Sequence, residues 1–137
     1  MKDQNYYNTF IEVADDCPVT SAEIPSMKDG DKTVPYLQYE MMVKHPYAHT
    51  QEDVLFGVFA ARHHIPDSEL MKEREKLFSK GQPCLRSSSL GKRYGWGIHC
   101  DGEGRVALYA MESEEYGKFI RDSSVKHLKA MNSKRLK

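Results

Sequence analysis

Six histidines, three cysteines and eight tyrosines supply the side chains that acid–base, nucleophilic or metal chemistry would need, and their spacing decides between these. The densest polar set is Arg86, Lys92, Arg93, His99, Arg105 and Tyr109. There the cations would hold an anion's charge while the imidazole and phenol add directional hydrogen bonds. The run Ser87-Ser88-Ser89-Leu90-Gly91-Lys92-Arg93 adds hydroxyls and turn N–H groups of the kind that cradle a phosphate or carboxylate. It is not a P-loop, because it lacks G-x-x-x-x-G-K-[ST] and leads into a strand. A nucleophilic thiol would need a neighbouring base. Cys17 and Cys84 lie beside prolines in loops, whereas Cys100 alternates onto an apolar strand face and should be inert. Metal spacing is poor. Pro46 breaks the helix that would align His45 with His49, and His63 and His64 differ by about 100° around a helix axis. No metal and no cofactor is expected.

The elements that must position these residues follow from periodicity. Asn8–Ala14 alternates and reads as a strand, ending at Asp15-Asp16-Cys17-Pro18. Val19–Lys32 shows no period and is a long loop. Thr33 caps a first helix with Pro35 in its first turn, and His45-Pro46 ends it. Thr50 caps a second, with Glu52 and Asp53 in its first turn and Val54, Leu55, Val58, Phe59 and Arg62 as the inward stripe. The histidines His63-His64 suit the dipole at its C-terminal end. Pro66-Asp67 opens a third helix, with Leu70, Met71, Arg74, Leu77 and Phe78 on one face and Gly81 as its stop. Tyr94–Cys100 and Arg105–Met111 flank Asp101-Gly102-Glu103-Gly104, a β-hairpin signature. Ser113-Glu114-Glu115 caps a short helix bearing Tyr116, Phe119 and Ile120, and Val125–Met131 is a last strand. The order predicts an α+β fold in one domain over residues 1–137. Its sheet is expected to be mainly antiparallel, with the three consecutive helices and the short helix packed on one face.

Hairpin register fixes the sharpest expectation. Apolar side chains must share the buried face, so Trp96 and Ile98 lie on the same face as Val106 and Leu108. That leaves Gly95, Gly97, His99, Arg105, Ala107 and Tyr109 on the other face, where two glycines bare the backbone beside polar tips. Glycines in a strand mark a close approach, either by a ligand or by an aromatic or helix of the same chain.

Charge and composition bound the rest. The chain has 137 residues, net charge +0 and 39% hydrophobic residues, enough for a core and with no apolar run long enough for a membrane span. Residues 1–83 carry fourteen acidic and nine basic side chains, and residues 84–137 six and eleven. The halves at −5 and +5 either dock on each other or offer an anion-binding surface. Basic residues interleaved with Tyr94, Trp96 and Tyr109 would suit nucleic acid, but the zero net charge and the lack of any nucleic-acid motif argue against it. The N-terminus lacks the apolar run of a signal peptide, and three thiols suit a reducing cytosol.

Lys92-Arg93-Tyr94-Gly95-Trp96-Gly97-Ile98-His99, with the opening Asn8–Ala14 and the closing Val125-Lys126 to Lys134-Arg135, resembles a family of small bacterial proteins catalogued as a domain of unknown function. The resemblance runs from Tyr7 to Arg135. It implies a bacterial, cytosolic, single-domain protein and transfers no activity, cofactor or catalytic residue. The residues themselves favour a binding domain for a small anionic ligand or an acidic protein partner, with Arg86, Lys92, Arg93, His99, Arg105 and Tyr109 as the site. Two alternatives stand beside it. One is a hydrolase or transferase using His99 with Cys84, Cys17 or a metal. The other is an interaction protein whose glycine trough is filled by its own chain. Oligomeric state is not fixed by the sequence.

Overall fold

Alternation in the sequence becomes four strands, β1 (Thr9–Glu12), β2 (Trp96–Cys100), β3 (Val106–Ala110) and β4 (Lys126–Lys129), hydrogen-bonded in the order β3-β2-β1-β4. The helices are α1 (Val34–Lys44), α2 (Gln51–His63), α3 (Leu70–Phe78), α4 (Ser89–Lys92) and α5 (Glu114–Arg121), with single 3₁₀ turns at Asp67–Glu69 and Leu85–Ser87. The computed structural model describes residues 5–80 and 84–133, so Gly81 and the tail from Lys134 lie outside the described residues. Among them no helix is long and apolar enough to cross a membrane.

The fold is α+β, but the sheet is mixed rather than mainly antiparallel. β1 pairs antiparallel with β2 and β2 with β3, whereas β4 pairs parallel with β1. The cause is the crossover: a helix between two strands returns the chain to its starting end, so β4 runs parallel to β3. β1 is antiparallel to β2 as β3 is, so β4 meets β1 in parallel.

A second correction concerns the helices, which cover both faces of the sheet. Ile11, Ile98, Cys100 and Val106 join Met42 of α1, Val54 of α2 and Leu85 and Leu90 near α4 in one core. On the opposite face Phe10, 0% exposed, packs against Tyr116 and Phe119 of α5. Burial of both Phe10 and Ile11 is the direct sign that β1 is covered on both sides.

Local signals set the helix ends. Thr33 accepts from the Tyr36 N–H, and Thr50 forms a reciprocal capping box with Asp53. His64 closes α2 in the left-handed conformation, at φ 51°. The serine run expected to be a loop instead forms α4, capped by Ser88, whose hydroxyl accepts from the Leu90 N–H and donates to Gln38 Oε1 at 2.6 Å. In α3 the predicted inward Met71 is 83% exposed. Arg74 fastens that helix instead, with a 2.9 Å ion pair to Asp53 and its guanidinium over the Phe56 and Phe78 rings.

The charge asymmetry has a partly internal explanation. β4 meets the end of β1 through His127–Glu12 at 3.1 Å and the segment after β1 through Lys129–Asp15 at 2.8 Å, each joining the basic half to the acidic one.

Candidate functional site

The hairpin register is the expected one. Trp96 lies opposite Ala110, Ile98 opposite Leu108 and Cys100 opposite Val106, which leaves Gly97, His99, Ala107 and Tyr109 on the other face. That face is occupied. A Cβ on Gly97 would lie 2.6 Å from Tyr116 Cε2 and 2.7 Å from Phe10 Cζ, so the absent side chain is the seat of two rings of the same protein. Gly95, at φ +80°, sits before the strand and turns the chain into it, which is why β2 begins at Trp96 and not at Tyr94. The indole is partly buried against Tyr39, and its N–H donates to the Glu23 carbonyl, tying down the long loop.

Within the covered face His99 and Tyr109 are brought together by a residue the sequence did not single out. The Tyr47 hydroxyl lies 2.8 Å from His99 Nδ1 and 2.7 Å from the Tyr109 hydroxyl. Tyr47 arrives there because the segment after α1 pairs with the outer edge of β3: the Tyr47 N–H donates to the Val106 carbonyl, and the Val106 N–H to that of His49. A neutral imidazole offers one donor and one acceptor, so this chain is satisfied in either direction. Burial holds His99 below its ordinary pKa, with Asp101 and Asp122 pulling the other way. Burial, then the bond to Tyr109, holds Tyr47 far above the usual phenol range. The His99 ring stacks on Phe119 with centroids 4.3 Å apart. Outside this network the face opens into a depression of about 210 Å³, lined by Tyr109, Glu115, Lys118, Phe119 and Asp122.

The predicted cations do not gather around His99. Arg86 Nε donates to the Lys129 carbonyl at 2.8 Å and thereby secures the C-terminal strand. Arg105 points to Glu103, 3.8 Å away in the hairpin turn. Lys92 ends α4, half-buried, and Arg93 follows it, exposed.

A larger concavity lies on the other side of the sheet, between α1, α2 and the segment 84–89. It measures about 500 Å³. Its wall is apolar: Val34 and Pro35 from the first turn of α1, and Leu55, Val58 and Phe59 from α2. Arg62 extends the same α2 stripe at helical spacing, and His63 stacks on Phe59 with centroids 4.4 Å apart. The facing rim is Cys84, Ser87, Ser88 and Ser89. Gln38 also lines the cleft and is 5% exposed. Its Oε1 accepts from Ser88, yet its amide NH₂ meets no acceptor among the described residues. No fully buried side-chain nitrogen or oxygen among them lacks a partner, so this NH₂ reaches the open space of the cleft.

With this geometry in place, comparison settles the kinship. The chain belongs to the family of unknown function DUF6157, whose model matches residues 1–136. Neither the curated proteins nor the solved structures contain a match. A family without an assigned activity leaves the chemistry to be argued from the side chains.

Sequence periodicity pointed to Leu55, Val58, Phe59 and Arg62 as one stripe, but as core rather than as a wall. Gln38 carried no local signal, because its role comes from Ser88, fifty residues away. No group of three or more His, Cys, Asp or Glu that could hold a metal occurs among the described residues.

Proposed function

We propose that this DUF6157 protein is a single-domain cytosolic binding module for a small anion with an apolar body, held in the cleft between α1, α2 and α4. The reading keeps the anionic ligand suggested by the charge pattern and moves its seat away from the hairpin face. One observation carries it: Gln38 is nine-tenths buried, its carbonyl is fixed by Ser88, and its NH₂, which meets no acceptor among the described residues, borders a cleft with an apolar wall and a polar rim. Sites of this size and make-up, mostly apolar with a few fixed polar groups, are the usual form of small-molecule pockets. Leu55, Val58 and Phe59 would bury the ligand's body. Gln38 and the Ser89 hydroxyl would meet its acceptor atoms, and Arg62 and His63 at the rim would favour negative charge.

Decanoate tests this directly, with decyltrimethylammonium as a cation of equal apolar length. Decanoate should raise Tm, since a ligand at a hundred times its Kd adds about 2.7 kcal/mol by mass action, while the cation should not. Gln38→Leu keeps the side chain's bulk, removes the donors and should reduce the shift. Equal shifts from both amphiphiles, or none from either, would refute the reading.

A further inference from the structure

We propose that Cys84 is a modification site, whose thiol exchanges with a small anionic disulfide seated in the cleft to leave a mixed disulfide on the protein. This deepens the binding reading and rests on it. Cys84 is part-exposed and lines the cleft together with Arg62, His63 and Ser89. The Gln38 amide, whose carbonyl takes the Ser88 hydroxyl while its NH₂ meets no acceptor among the described residues, is the independent sign that the same space takes a ligand, and an acceptor-bearing one. Tyr6 neighbours Cys84: burial, then the interaction with that thiol, raises the Tyr6 pKa to about 12, so the phenol stays protonated beside it. The other two thiols are placed differently. Cys100 is 0% exposed and burial pushes its pKa up to about 12, which keeps it unreactive. Cys17 is part-exposed and is not among the residues lining the cleft, which makes it an internal control.

The step balances without another oxidant. The Cys84 thiolate, its proton lost to solvent, attacks one sulfur of the bound disulfide. A new S–S bond forms as the old one breaks, and the departing thiolate takes up a proton. Cys84 sulfur is oxidised and the leaving sulfur reduced. In a reducing compartment such a bond is transient and reversible, as redox-sensing disulfides are.

Dithiobis(nitrobenzoate), an aromatic carboxylate disulfide, is the probe, and cystamine is its cationic counterpart. The full chain is reacted with each, quenched with acid at intervals and mapped by mass spectrometry. Cys84 should be modified before Cys17 by the anionic probe, at a rate that saturates with probe concentration. Cystamine should show neither saturation nor preference. Arg62→Gln should slow Cys84 by about two- to fivefold, the worth of one exposed ion pair, and leave Cys17 unchanged. Equal rates at Cys17 and Cys84, or a linear dependence with both probes, would overturn the proposal. Cys84→Ser separates the two failures. If this variant keeps the decanoate-induced rise in Tm while Cys84 shows no selectivity, only the thiol exchange is wrong. If the rise is absent there and in the wild type, the cleft reading falls and the exchange falls with it.

Discussion

Replacing Gly97 with alanine tests whether the hairpin's outer face is closed by the protein itself. The new methyl would stand 2.6 and 2.8 Å from two carbons of the Tyr116 ring and 2.7 Å from Phe10 Cζ, all well inside contact distance. Neither ring can yield easily. The Tyr116 hydroxyl is held by the Val13 N–H at 3.0 Å, and Phe10 is wedged against Phe119 with centroids 4.8 Å apart. Forcing a methylene-sized group into a packed core costs about 1–3 kcal/mol. Against this, alanine in a strand recovers about 0.5–1 kcal/mol of backbone entropy relative to glycine. A net loss of roughly 1–2 kcal/mol remains, or a Tm fall of several degrees for a chain of this size. Urea unfolding followed by Trp96 fluorescence measures it. Gly102→Ala is the matched control, since its methyl would approach only Asn8, at 3.4 Å. A Gly97→Ala protein as stable as the wild type, with the control also unchanged, would mean that Tyr116 and Phe10 do not fill the trough.

Other consequences can be read from the same molecule. Thr50→Ala removes half of the capping box on α2 and should cost about 1–2 kcal/mol by denaturant unfolding, with helix content lost first from that end. His64→Gly relieves a left-handed residue at φ 51° and should raise stability by about 0.5–1 kcal/mol on the same measurement. The two perturbed histidines should act in opposite directions with pH. His127 is raised above 6.5 by the Asp122 carbonyl and then by Glu12, so its contribution is complete below that value and fades as pH rises through its folded pKa. His99 is lowered below 6.5 by burial, so the unfolded chain takes up the proton first and stability is lost as pH falls through the unfolded value. Melting curves of His127→Gln and His99→Gln should therefore flatten on the alkaline and the acid side of 6.5, respectively. The same side flattening in both would contradict the assignment.

Much of the fold could be read from the chain because local physics dominates it. Thr33 and Thr50 before apolar helical stripes, and the hairpin turn between two alternating runs, each act within a few residues. What the chain order could not supply was the direction of β4 relative to β1, since that depends on a crossover through α5 spanning two strands. The face occupied by α5 was missed for the same reason: Tyr116 and Phe119 look like any short amphipathic pair until Phe10 and Gly97 are known to lie beneath them. The serine run misled in another way. Three serines before a glycine suggest an open loop, but Ser88 is buried and answered by Gln38, and that partner converts a turn-former into a helix cap.

That exchange of roles also explains why the binding reading moves from one side of the sheet to the other. On the hairpin side the central groups that looked recruitable have found partners within the chain: His99 and Tyr109 in Tyr47, Arg86 in the Lys129 carbonyl, the bare backbone of Gly97 under Tyr116. A satisfied network of this kind rigidifies a fold, and a ligand there would have to replace bonds already made. In the cleft the balance is reversed. Ser88 uses one end of the Gln38 amide and leaves the other facing open space, with no acceptor for it among the described residues. An occupant that displaces water from that donor must bring an acceptor, because desolvating it without one costs about 1–3 kcal/mol. Gln38→Leu leaves the buried Ser88 hydroxyl without its acceptor and should cost the free protein about 1–3 kcal/mol, while also weakening its response to decanoate. An undiminished rise in Tm with decanoate in the folded variant would show instead that the amide's role is only to hold Ser88 and α4.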